Sequence, residues 1–332
     1  MSRRPSPDSH LPVAREIRSI FTAKDGTSPV VDAIAVQSQT RGSLARDFVE
    51  LAKPEITLLV ALSSLGGFVL APVEHFDAVA LVSLLVGVCL TSAGASTLNH
   101  WLERDKDALM RRTMNRPLPA GRISPNTARN FGFLLIAAGV GLLCPLTNPL
   151  TGGIALATAL IYLFVYTPLK QRSTWNTLVG TLPGALPALG GWTAATGSIG
   201  WGGAAVFAIL AAWQMPHFLS LAWMYRKDYE RAGYVMLPVA EPDGASTVRQ
   251  TLLYSILLVV VSFTPIMLGL SGWLYFTGAA ALGIWFLRAA TAFYQSYSMQ
   301  DARRVLRVSI GYIPVLVLVM LLDRILFGGM LF

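Results

Sequence analysis

Nine apolar runs divide this chain, at roughly 52–72, 77–98, 130–146, 150–167, 177–197, 203–224, 252–271, 273–291 and 308–328. A helix needs about 20 apolar residues to cross the hydrocarbon core. Only a segment that satisfies its own backbone hydrogen bonds survives there. The third, fourth and eighth runs lie near the short limit. The expectation is an all-α polytopic membrane protein. Composition agrees, because 13% of the 332 residues are charged and 54% are hydrophobic, whereas soluble domains carry about 25% charge. Cys89 and Cys144 both fall inside apolar runs, so neither a disulfide framework nor a thiolate metal site is implied.

The net charge of +8 would suit nucleic acid, but its distribution argues for membrane orientation instead. Basic residues collect up to Lys53, between Arg104 and Arg129, at Lys170 and Arg172, from Arg226 to Arg249, and from Arg288 to Arg307. With nine spans all these segments share one side, and only Arg324 lies opposite. The amino terminus is therefore expected in the cytoplasm. Residues 1–47 are polar and rich in Ser, Pro and Arg. They lack the apolar core of a secretory signal and are expected to form a disordered tail, with the membrane domain over 48–332. The opposite loops are short and apolar, so chemistry is expected at the cytoplasmic mouth.

The second run leads directly into Asn99-His-Trp-Leu-Glu103-Arg-Asp-Lys-Asp107. If the helix continues, residues four apart share one face. Asn99, Glu103 and Asp107 then align, and Asp105 points elsewhere. Oxygen ligands in such a row suit Mg²⁺, which takes one or two carboxylates with water and phosphate oxygens. A solvated charged loop is the plainer alternative.

Other polar groups cluster on the same side. Lys53, before Pro54, either meets an anionic group or anchors a helix at the headgroups. Tyr162 and Tyr166 share a helix face. They serve either as π surfaces for an allylic chain or cation, or as an interfacial belt. Run five carries Pro183, Pro187 and several glycines. It is expected to be broken and to line a cavity, with close helix packing as the alternative. Gln214 and His217 lie inside run six, where ionisable residues are usually functional. Asp228 follows at the same face as Glu103 and Asp107, so two acidic clusters would face one cavity.

Taken in order, several motifs resemble one family. They are N-x-x-x-E-R-D-x-D at 99–107, R-T-x-x-R-P-L-P-x-G-R-I-S at 112–124, Y-T-P-L-K at 166–170, W-N at 175–176, W-Q-x-P-H-F at 213–218 and K-D-Y-x-x-A-G-x-x-M-L-P-V at 227–239. They are similar to the UbiA superfamily of intramembrane prenyltransferases, in particular its haem O synthase (protohaem IX farnesyltransferase) branch. The resemblance implies nine transmembrane helices around a central cavity. It implies farnesyl transfer from farnesyl diphosphate to a vinyl group of haem B, with Mg²⁺ held by Asn99, Glu103, Asp107 and Asp228. Lys53, Arg111, Arg112, Arg116, Lys170 and Lys227 become the candidates for the diphosphate. Tyr162, Tyr166, Asn176, Gln214 and His217 become candidates for the remaining substrate surface, with His217 on the haem iron. The chain departs from the family pattern at Glu103, usually Asp, and at Ala232, where a second aspartate is typical. A bacterial inner membrane is expected, with the mitochondrial inner membrane as the alternative. A haem A synthase and a second copy of the chain are the protein partners left open, and no nucleic acid is expected. The competing readings are a phenol or quinone-precursor acceptor and a transporter.

Overall fold

The computed structural model describes residues 43–327. The expected tail lies outside them up to residue 42. Two units divide after Phe48. The first contributes only residues 43–48, the opening of helix α1 (Leu44–Ala52). The second, from Val49, carries everything described below.

Every long element is helical. They are α2 (Pro54–Leu70), α3 (Ala78–Asp107), α4 (Pro125–Leu146), α5 (Pro149–Leu160), α6 (Asn176–Thr196), α7 (Gly200–Met224), α8 (Ala245–Val261), α9 (Trp273–Ser296) and α10 (Met299–Phe327). Local sequence sets several starts. Asp77, Ser124 and Asn148 accept the amides of Ala80, Thr127 and Thr151 at 2.9, 3.1 and 2.9 Å. Proline opens α2, α4 and α5, where its missing N–H costs nothing.

Among the described residues, seven helices are long and apolar enough to cross a membrane, or eight if α1 and α2 count as one bent span. The expected count of nine is not reached on these grounds. α2 alone has 17 residues, and α6, the fifth run, is diluted by Gly, Pro and Thr. The expected break in α6 is also absent: Asn176–Thr196 is one continuous helix with both prolines inside it. Neighbours clamp it instead. A Cβ at Gly191 would fall 1.8 Å from Ser64 O, and one at Gly67 would fall 1.9 Å from Ala188 O. The α2 and α6 backbones touch there because each contact has a glycine on one side and a small residue, Ser64 or Ala188, on the other, as in small-residue membrane packing.

At the far end of α10, Asp323 is buried and accepts the amides of Gly272, Leu274 and Tyr275. It caps α9 through its first-turn amides. Arg324 donates to Val69 O and Ala71 O at 3.1 Å each, which closes the last carbonyls of α2. Arg324, the basic residue expected apart from the others, thus has structural partners.

Candidate active site

α3 does continue past its apolar run, for two and a half turns, and ends at Asp107. Asn99, Glu103 and Asp107 are consequently on one face and buried, at 2%, 5% and 0% exposure. Asp105 lies on the opposite face, its side chain 83% exposed. The row lines a cavity of about 1270 Å³ formed by the second unit. Its polar mouth holds Lys53, Asn99, His100, Glu103, Asp107, Arg112, Arg116 and Lys170. Its body is apolar and includes Ile154, Pro183, Pro187, Ile209, Pro314 and Val317.

Cations hold the row in place. Lys53 adopts a left-handed backbone conformation, φ 46°, which is strained for a residue with a side chain. This conformation separates α1 from α2, and Lys53 Nζ donates to Asn99 Oδ1 at 3.0 Å. The amide of Asn99 donates to Glu103 Oε2 at 2.9 Å and to Thr167 Oγ1 at 3.2 Å. Lys170 Nζ pairs with Glu103 Oε1 at 2.5 Å. Arg116 pairs with Asp107 Oδ2 at 2.8 Å, leaving the buried Asp107 Oδ1 with no hydrogen bond. Burial opposes charge on Lys170, but the Glu103 carboxylate and the rings of Tyr166, Tyr162 and Tyr234 outweigh it and hold the ammonium well above its usual range. Burial and the same carboxylate push the Tyr234 phenol up.

The tyrosine pair meets through different backbone geometry than α-helical spacing predicts. Ile161–Tyr166 is a π-helical segment. Its wider turn lets the Thr167 hydroxyl donate to Tyr162 O at 2.8 Å, and π segments of this kind occur often at functional sites. The two rings stack at 5.6 Å and 23°, with Lys170 Nζ 4.9 Å from the Tyr166 centroid. Two glycines of α6 make room on the cavity side. A Cβ at Gly180 would meet the Tyr166 ring at 2.7 Å, and one at Gly184 would meet Gln214 Oε1 at 1.8 Å. Gln214 is held by its amide, which donates to Thr181 O and Leu210 O. His217 lines the same wall, stacked on Trp213.

Four of the expected site residues stand away from the cavity wall, among them Arg111 and Lys227. Asn176 is fully buried and donates to Ser173 O and Val235 O, tying two loops together. Asp228 sits on the short helix Arg226–Arg231 and pairs with Arg231. Among the described residues no three His, Cys, Asp or Glu side chains gather as a metal site. Sequence reasoning passed over His100 and Tyr234. His100 is buried with both ring nitrogens unpartnered, and its place beside Asn99 in the polar run was the available signal. Tyr234 faces the Lys170 ammonium at 5.4 Å from a loop that gave no periodic signal.

The UbiA prenyltransferase family matches residues 60–311. A "Protoheme IX farnesyltransferase" of Salinibacter ruber is 55% identical over 277 residues, covering 83% of this chain and 98% of the relative. One of Solibacter usitatus is 43% identical over 288 residues, covering 84% and 99%. Among solved structures, a digeranylgeranylglyceryl phosphate synthase aligns with a TM-score of 0.71 at 18% identity, over 85% of this chain and 98% of its own. A UbiA homologue of Archaeoglobus fulgidus bound to GPP and Mg²⁺ aligns at 0.62 and 15%, over 82% and 99%. These two share the fold. The extent of the family match and the identity to the bacterial relatives establish that the chain belongs to the UbiA prenyltransferase family.

Proposed function

We propose that this chain transfers the farnesyl group of farnesyl diphosphate to a vinyl group of haem B, releasing diphosphate, and that water then adds to the cation left on the former vinyl group to give haem O. The observation that carries this reading is the junction of a cationic mouth with a large apolar cavity, in a chain so similar to the Salinibacter ruber protein. The reading places nine spans in a bacterial inner membrane with the amino terminus in the cytoplasm. The charge asymmetry supports that topology.

The buried, unbonded Asp107 oxygen, with the Glu103 carboxylate on the same helix face, fits a hard divalent cation. Asn99, Glu103 and Asp107 would hold Mg²⁺, with Asp228 approaching only if its Arg231 pair opens. The ion would supply Lewis-acid neutralisation of the leaving diphosphate. The chain's own residues do the rest. Lys53, Arg116 and Lys170 bind phosphate oxygens and stabilise the charge that grows as the C–O bond breaks. Tyr162 and Tyr166 present stacked π faces to the allylic carbon. The apolar body holds the isoprenoid tail and keeps water from capturing the cation before the vinyl carbon attacks. Gln214 and Gly184 shape the wall beside the acceptor, and His217 takes the haem iron, as imidazole commonly does.

The deciding experiment expresses the chain in membranes, adds labelled farnesyl diphosphate with either haem B or an aromatic acid, and identifies products by mass. The expected product is haem O with stoichiometric pyrophosphate. Label on the aromatic acid with none on haem would replace the acceptor. Absence of pyrophosphate with every acceptor would end the prenyl-transfer reading.

A further inference from the structure

Ser309, on α10, is fully buried, and its hydroxyl has two neighbours. Oγ lies 2.7 Å from Leu306 O in its own helix and 2.8 Å from His217 Nδ1 across the interface with α7. A hydroxyl owns one proton, and a carbonyl can only accept. Both contacts are hydrogen bonds only when Ser309 donates to Leu306 O and accepts from His217 Nδ1–H. The neutral imidazole then carries its lone pair on Nε2. Among the described residues no protein group bonds Nε2, and the ring lines the cavity.

Trp213 secures the arrangement twice. Its ring stacks on the imidazole at 5.1 Å and 29°, and its Nε1 donates to Ser309 O at 2.7 Å. Ring plane, tautomer and depth are therefore set by α7 and α10 together. A lone pair delivered this way into an apolar wall suits a Lewis-acidic centre. A hydrogen bond at the other ring nitrogen also makes the imidazole a stronger ligand.

We propose that Ser309 is a positioning residue that holds His217 as the Nδ1–H tautomer, with Nε2 presented to the iron of the haem acceptor. This rests on the haem reading above. The full chain, in lipid nanodiscs with ferrous haem B, is examined by resonance Raman spectroscopy for the iron–imidazole stretch, alongside haem titration. His217→Ala is expected to abolish the band. Ser309→Ala is expected to keep it at lower frequency and to weaken haem binding about tenfold, while Ser309→Thr restores both. Ser309→Cys, nearer in volume and a weaker acceptor, shifts the band the same way and serves if the alanine variant does not fold. An unshifted band in both Ser309→Ala and Ser309→Cys overturns the proposal with His217 still the ligand. A band that survives His217→Ala overturns the ligand assignment itself, while pyrophosphate release in that variant reports separately on prenyl transfer.

Discussion

Removing the Lys170 ammonium and removing the Glu103 carboxylate should each be worse for stability than removing both. Their side chains are 11% and 6% exposed and in contact. Lys170→Met leaves the Glu103 carboxylate without its cation, still bonded to Asn99, and Glu103→Gln leaves the Lys170 ammonium beside tyrosine rings with a neutral amide in place of the carboxylate. Stranding one member of a buried pair costs about 3–5 kcal/mol, whereas replacing both with neutral groups of similar volume is often close to neutral. The double variant should therefore recover most of the loss, with a coupling energy of about 3 kcal/mol or more. At about 2–4 °C per kcal/mol, each single variant should melt roughly 6–20 °C lower in detergent, and the double variant within a few degrees of the parent. Activity should behave differently. All three variants should lose pyrophosphate release, because the double variant regains packing but not the phosphate-binding cation. Additive losses of melting temperature would refute the buried-pair argument, and a double variant that turns over would refute the role given to Lys170.

Three further outcomes are expected. Asp107→Asn keeps the shape but strands Arg116, so Mg²⁺-dependent pyrophosphate release should be lost, measured by a coupled phosphate assay. Gly184→Ala places a methyl group 1.8 Å from Gln214 Oε1, and displacing that amide should cost about 1–3 kcal/mol and lower turnover with haem before it affects diphosphate binding. The Lys170 pKa is raised in the folded chain, so its stabilisation is fully present below the unfolded value of about 10.4 and is lost only as pH rises through the folded one. Melting temperatures of the parent and Lys170→Met should therefore differ by a constant amount from pH 6 to 9, and a gap that closes within that range would contradict the assignment.

The elements and the first half of the site were legible because they rest on periodicity. The apolar run before Asn99 announced α3, and four-residue spacing placed Asn99, Glu103 and Asp107 on one face once the helix continued. Proline gave a misleading signal in α6. Pro183 and Pro187 read as breaks, yet the glycine contacts to α2 hold the helix whole, and those contacts depend on a neighbour the local sequence does not contain. The same limit applies to Asn176, Tyr234 and Ser309, whose partners lie 59, 64 and 92 residues away along the chain. The π turn at Tyr162 could not be read either, because spacings of 3.6 and of about 4.4 both bring residues four apart near each other. Asp228 is expected beside the first cluster from its side of the membrane and from the K-D-Y motif, and neither signal fixes its side chain, which pairs with Arg231 away from the cavity wall.

The arrangement of charge at the mouth explains how one cluster can serve both a cation and an anion. Three basic side chains, Lys53, Arg116 and Lys170, surround two carboxylates, Glu103 and Asp107, with Arg116 and Lys170 in ion-pair contact with them. Each carboxylate has a cation within ion-pair distance, which keeps the buried charges satisfied without any ligand. A diphosphate would offer the same three side chains more oxygens and more charge than the carboxylates do. On the proposed reading, basic groups that turned toward it would release carboxylate oxygens able to hold a divalent ion arriving with the phosphate. Such an exchange would replace each ion pair that opens with a contact to the incoming ligand. It also predicts an order of dependence: Mg²⁺ affinity should be weak in the absence of diphosphate and should rise when diphosphate is added, as linkage requires. Calorimetric titration of Mg²⁺ with and without inorganic pyrophosphate measures this directly, and equal affinity in the two conditions would mean that the carboxylates are not released by the cations at all.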